Sequence, residues 1–109
     1  IMEVNGVKIA TTEQGFLLDM NLWNELLAKH LADIEGIVLR AEHWEILHFI
    51  RQFYIEYKYL PNARVFSKAI KKKLGAEKAT SRYLLKLFPQ EPLKYACNIA
   101  GLPKPPSCL

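Results

Sequence analysis

Residues 41–75 read AEHWEILHFIRQFYIEYKYLPNARVFSKAIKKKLG, and their pattern decides the fold. Between Ala41 and Tyr59 the apolar residues Ile46, Phe49, Ile50, Phe53 and Tyr57 fall at offsets 0, 3, 4, 7 and 11. That spacing draws one apolar stripe along an α-helix. Pro61 ends it, because the residue before a proline is pushed out of the helical region. Asn62 then offers a side-chain oxygen to cap a second helix. In that helix Val65, Phe66, Ala69, Ile70 and Leu74 face inward, and Gly75 closes it. Two helices joined by a Pro-containing turn, the second of them basic, have the outline of a helix-turn-helix.

Working outward, Asn21 is expected to cap an earlier helix whose stripe is Trp23, Leu26, Leu27, Leu31 and Ile34, closed by Gly36. Asn5-Gly6, set between short alternating segments in 3–9, signals a β-hairpin through a type I′ turn. Gly15 marks a further turn. Downstream, Thr80 or Ser81 caps a helix with Tyr83, Leu84, Leu87 and Phe88 inward, ended by Pro89. Pro92 suits the first turn of a fifth helix. Leu93, Ala96, Cys97 and Ala100 line one face of it, and Gly101 follows. The chain then runs Leu102-Pro103-Lys104-Pro105-Pro106-Ser107-Cys108-Leu109. Its three prolines forbid a helix and favour a stiff, extended course. The expected fold is mainly α (class α+β): an N-terminal β-hairpin, about five helices with a helix-turn-helix-like core, and an extended C-terminal arm. Residues 1–101 form a single domain, and 102–109 a flexible Pro-rich arm carrying Cys108.

Half of the 109 residues are hydrophobic and 24% are charged, the proportions of a globular domain rather than a disordered one. There is no apolar run long enough for a membrane-spanning helix. No basic stretch followed by an apolar run opens the chain, so no signal peptide is expected. Met2 reads as the natural start, with Ile1 a remnant before it. The net charge of +4 is unevenly divided. Residues 1–57 hold four Lys/Arg against nine Asp/Glu, a net of −5, and 58–109 hold eleven against two, a net of +9. A basic half suggests an anionic partner, either nucleic acid or an acidic protein surface. A solvated face attracted to the acidic half is the plainer account. Arg64, Lys68, Lys71 and Lys72 share one helix face. The aromatic residues around Phe49 and Phe53 read as core packing. Glu42, Glu45 and Glu56 stand on or near the second of these helices with no organised partner.

Two cysteines, Cys97 and Cys108, are too few for the disulfide framework of a small secreted domain, which points to the reducing cytoplasm. With His30, His43 and His48 they match no compact zinc spacing. No Gly-rich phosphate loop or nucleophile elbow is present, so neither a metal nor a cofactor is expected. Cys97 on a helix and Cys108 on a semi-rigid arm could serve sulfur transfer or dithiol redox chemistry, in which one thiolate attacks sulfur and a second thiol resolves the product. The plainer reading makes Cys97 a small core residue and Cys108 an incidental tail residue. The Leu109 carboxylate raises the neighbouring thiol's pKa, whereas Lys104 lowers it.

Several segments together resemble one family. Glu42-His43-Trp44-Glu45 matches its E-H-W-[ED]. Pro61-Asn62-Ala63-Arg64-Val65 resembles its P-A-[IV]-R. Ser81-Arg82-Tyr83-Leu84 with Leu87-Phe88-Pro89 matches S-[RQ]-Y-L…L-F-P. Most specific is 96–105, Ala-Cys-Asn-Ile-Ala-Gly-Leu-Pro-Lys-Pro, with the penultimate Cys108. The sequence is similar to the DsrC/TusE family, the sulfite-reductase gamma-subunit and sulfur-relay proteins. The chain departs from that pattern at Ala79-Thr80, at Gln90–Leu93 and at Pro106-Ser107, where two-cysteine members often have T-G. Losing that glycine stiffens the step into Cys108.

The resemblance implies a small helical protein whose Cys108 accepts and donates sulfur as a persulfide. It implies that Cys97 is the resolving thiol that forms a disulfide or trisulfide with the arm in sulfite-reductase-type members, and that Arg64 lies near the folded-back arm. Arg64 and Lys104 are therefore the candidates for arm contact or partner docking, and Lys68, Lys71 and Lys72 for a basic surface. A sulfur donor of the TusBCD or DsrEFH type and an acceptor, either a tRNA thiouridylase or dissimilatory sulfite reductase, are the implied partners. The chain would act as a sulfurtransferase-like co-substrate rather than a stand-alone enzyme, with any nucleic acid met indirectly. The rival reading is a nucleic-acid-binding regulator that uses the Arg64–Lys72 helix.

Overall fold

The computed structural model describes residues 2–106. Strands β1 (Met2–Val4) and β2 (Val7–Ile9) pair antiparallel in the register Met2↔Ile9 and Val4↔Val7. Asn5 and Gly6 both take positive φ, 51° and 81°, as a type I′ turn demands. The expected turn at Gly15 forms as well. Gly15 N–H donates to Thr12 O at 3.0 Å, and Asn98 Nδ2 ties Gly15 O to the core at 3.1 Å.

Five helices follow: α1 (Glu25–Ile34), α2 (Ala41–Tyr57), α3 (Ala63–Leu74), α4 (Ser81–Leu87) and α5 (Pro92–Ile99). The start of α1 corrects the expectation placed on Asn21. Asp19 caps a separate 3₁₀ turn over Met20–Leu22, and Trp23 is extended. The helix begins only after Asn24, whose Oδ1 accepts from Leu27 N–H at 2.8 Å. The buried stripe is accordingly Leu27, Ala28, Leu31 and Ala32, while Leu26 and Ile34 stand 60% and 61% exposed. Anchoring the stripe on Trp23 set its phase wrongly, because Trp23 is not in the helix.

Helix α2 ends at Tyr57, two residues short of the expected Tyr59, with Lys58 in the left-handed region at φ 62°. The chain turns early because Leu60 and Pro61 are buried. Tyr57 is consequently half exposed, though its ring still lies 4.7 Å from that of buried Phe53. Asn62 caps α3 as expected, accepting from Val65 N–H at 2.9 Å, and Phe66 and Ile70 face inward. Val65, expected inside, is 39% exposed. A 3₁₀ turn (Ala76–Ala79) packs against α3, and Thr80 rather than Ser81 caps α4.

Helix α5 is the centre of the molecule. It packs against α1, α2 and α4, and Leu93, Ala96, Cys97, Asn98 and Ile99 are all buried. Pro92 occupies its first turn, where no N–H is needed. None of the described helices is long and apolar enough to cross a membrane.

Candidate functional site at the end of helix α5

Of the two candidate cysteines, the described residues include Cys97. Cys97 sits in the last turn of α5 and is 0% exposed. Cys108 lies outside the described residues. Between them the chain leaves the helix through a Schellman motif. Gly101 N–H donates to Asn98 O at 3.1 Å, and Leu102 N–H to Cys97 O at 3.0 Å. Gly101 has φ 73°, which favours glycine, and a Cβ there would lie 2.5 Å from Trp23 Cδ1. Leu102 is fully buried and Pro105 is buried, while Pro103 and Lys104 are exposed.

The next carbonyls of α5, which a helix end normally leaves without partners, are taken by side chains from elsewhere. Trp23 Nε1 donates to Ile99 O at 2.8 Å, and Arg51 Nη1 donates to Ala100 O at 2.7 Å. The Arg51 guanidinium also lies over the Trp23 indole, 4.2 Å from the ring centroid. Partial burial pulls the Arg51 pKa below its ordinary value. The helix C-terminus and the indole face oppose that by favouring a cation there. Neither Trp23 nor Arg51 stood out as a site residue in the sequence. The only signal for Arg51 was a cation at the edge of the α2 stripe, next to Ile50, in an acidic half.

The remaining candidates are dispersed. Arg64 is exposed in the first turn of α3, and Lys104 is exposed beyond α5. Neither makes a hydrogen bond or ion pair within the described residues. Lys68, Lys71 and Lys72 are exposed along α3. Lys72 lines a cleft of about 640 Å³ together with Lys73, Glu45 and Glu56, so its surroundings carry both signs of charge. Glu45, expected to lack a partner, ion-pairs with Lys78 at 2.6 Å. No group of three metal-ligating side chains is found among the described residues.

His43, in the motif Glu42-His43-Trp44-Glu45, is a buried brace. Its Nδ1 accepts from Arg40 N–H at 3.1 Å, and its Nε2 pairs with Leu87 O at 2.8 Å. Since a carbonyl only accepts, this pairing fits the tautomer protonated on Nε2. It joins the start of α2 to the end of α4.

Comparison with known proteins agrees with this architecture. The family model described as "DsrC like protein" matches residues 3–109. Sulfurtransferase TusE of Pectobacterium atrosepticum is 50% identical over the whole of both chains. The solution structure of DsrC from Allochromatium vinosum superposes with a TM-score of 0.88 at 45% identity, covering 99% of this chain and 96% of that one. The oxidized gamma-subunit of dissimilatory sulfite reductase (DsrC) from Archaeoglobus fulgidus gives 0.83 at 41% identity, covering 98% and 97%. The chain belongs to the DsrC-like family. These relatives give no support to the rival reading of a nucleic-acid-binding regulator.

Proposed function

We propose that this chain is a sulfur-relay carrier in which Cys108 accepts a sulfane sulfur as a persulfide and hands it to an acceptor protein. The observation that carries the reading is full-length identity of 48–50% to relatives named Sulfurtransferase TusE, together with close likeness to DsrC structures. The arm is taken as 102–109, hinged on the body 1–101, with buried Leu102 as its root. Cys97 serves as the second thiol. Arg64 and Lys104 contribute to docking, and Lys68, Lys71 and Lys72 steer the carrier toward acidic partner surfaces. Donors of the TusBCD or DsrEFH type, acceptors such as a tRNA thiouridylase or dissimilatory sulfite reductase, and a cytoplasmic setting complete the proposal.

Intact mass after incubation with a persulfide donor tests it, using wild type, Cys97→Ala and Cys108→Ser. The expected result is a gain of one sulfur, about 32 Da, that needs Cys108 and survives loss of Cys97. Normal loading of Cys108→Ser overturns the reading. If the adduct in wild type gives way to loss of two hydrogens, and this needs both cysteines, the dithiol cycle of the sulfite-reductase type is favoured over simple relay.

A further inference from the structure

We infer that the apolar pocket between α3, α4 and the start of α5 is an anchor site for an acidic protein segment, which seats one large apolar side chain in the pocket and sets its carboxylates against the cations around the mouth. That such a segment belongs to a sulfur donor or acceptor rests on the carrier reading. The docking itself does not.

The pocket has a volume of about 320 Å³. Buried Phe66, Leu84 and Leu93 line its inner side, and Leu85, 43% exposed, stands at its lip. Ser67 Oγ donates to Ala79 O at 2.7 Å and ties the α3 wall to the 3₁₀ turn. On α3 the lining residues Ala63, Phe66 and Ser67 stand at offsets 0, 3 and 4, and on α4 Ser81, Leu84 and Leu85 repeat that spacing. Each helix then sets a cation one position after its outer lining residues. Arg64 and Lys68 follow Ala63 and Ser67, and Arg82 and Lys86 follow Ser81 and Leu85. One residue is about 100° of helical turn, so these four cations occupy the next row toward solvent. All four are exposed, and none has an ion-pair partner among the described residues. Residues 63–94, which supply every lining side chain, hold nine Lys/Arg against Glu77 and Glu91. Of those two acids, Glu91 is taken up by Lys94, 3.5 Å away. The larger cleft between α2 and α3 has no such bias, because Glu45 and Glu56 on its α2 side balance Lys72 and Lys73 on its α3 side.

An apolar side chain gains by leaving water for such a pocket, and burial of one leucine is enough to change affinity about tenfold or more. The surrounding cations favour carboxylates beside that anchor, repel a basic segment and speed the encounter. The two elements together specify an acidic segment interrupted by a large apolar residue. Helix α5 runs for eight residues, about 12 Å, from Pro92 to Ile99. The pocket lies at its first turn and Leu102 follows its last, so docking is kept apart from the chain that leaves α5.

The test titrates the full chain with the capped peptide acetyl-Glu-Asp-Glu-Leu-Glu-Asp-Glu-amide and with versions carrying Phe, Met or Ala at the centre, read by amide and methyl NMR shifts. The Leu, Phe or Met peptide is expected to shift Phe66, Leu84 and Leu93 saturably, and the Ala peptide to bind at least about tenfold more weakly. Ser81→Phe, which fills the mouth from an exposed position, should weaken binding by a similar factor. Leu85→Glu at the lip is the second variant should Ser81→Phe alter the urea midpoint. Lys68→Glu with Arg82→Glu should weaken binding more than the same charge change at Lys72 and Lys73, and added salt should weaken it several-fold. No saturable shift with any of the three apolar peptides overturns the inference. So does equal binding of the Ala peptide with shifts spread along α3, which would be charge attraction without an anchor. Binding of octanoate there in place of the peptides would make the pocket a small-ligand site, and concentration-dependent broadening of the same signals without peptide would assign it to a second copy. Either result refutes the docking of an acidic segment. Because these probes carry no sulfur, failure of the carrier reading would show only in the separate loading experiment.

Discussion

Replacing Gly101 by alanine is expected to cost far more than the same change at Gly36, although the two glycines do the same backbone job. Each is the residue after the C-cap in a Schellman motif. Gly36 N–H bonds Asp33 O and Ile37 N–H bonds Ala32 O, matching the Gly101 and Leu102 bonds to Asn98 O and Cys97 O. Their φ angles are 72° and 73°. Forcing an L-residue into that region costs about 1–2 kcal/mol, partly offset by about 0.4–1 kcal/mol from a stiffer unfolded chain. That share is common to both sites. The surroundings are not. A Cβ at Gly36 meets nothing within 4 Å, whereas at Gly101 it meets Trp23 Cδ1, Cβ and Cγ at 2.5, 2.9 and 2.9 Å. The indole cannot retreat without breaking its bond to Ile99 O and leaving the Arg51 guanidinium. Overpacking of this kind adds about 1–3 kcal/mol. Gly36→Ala should therefore lose about 1 kcal/mol and Gly101→Ala about 2–4 kcal/mol. For a domain near this size that is about 4–8 °C per kcal/mol in Tm. Urea unfolding of both variants with a common m-value is the assay, and tryptophan emission should change only in Gly101→Ala. Equal losses at the two sites would refute the claim that Trp23 is wedged against Gly101.

Three further outcomes follow from other contacts. His43→Ala should destabilise by about 2–4 kcal/mol in urea, since it opens a cavity beneath α4 and strands the Leu87 carbonyl, whereas a surface change such as Lys71→Ala should stay within about 0.5 kcal/mol. The Tyr83 hydroxyl is buried without a hydrogen-bond partner among the described residues, so Tyr83→Phe should be neutral or stabilise by up to about 1 kcal/mol on thermal melting. Both Tyr83 and Lys78 have raised folded-state pKa values, Tyr83 through burial and Lys78 through its hydrogen bond to Glu45. A raised pKa means the folded state holds its proton longer, so this stability is complete below the unfolded values near about 10 and is lost as pH climbs through the folded ones. Stability measured from pH 9 to 11.5 should fall less steeply in a Tyr83→Phe, Lys78→Met double variant than in wild type.

Where the sequence was a reliable guide, a rule local to the backbone was at work. Asn5-Gly6, Asn62 and Pro92 each meet a need set within three or four residues: a positive φ, an uncapped N–H, a position without a donor. Such needs are met wherever the segment packs. The errors came where a residue served a distant part of the chain. Trp23 looked like the first apolar position of α1, but its indole is committed to Ile99, 76 residues away. Arg51 read as one cation among few in an acidic half, and its partner is a carbonyl 49 residues on. Glu45 seemed unpartnered for the same reason, since Lys78 lies beyond two turns. The burial of Cys97 was legible because periodicity put it with Leu93 and Ala96 on the inward face of its helix.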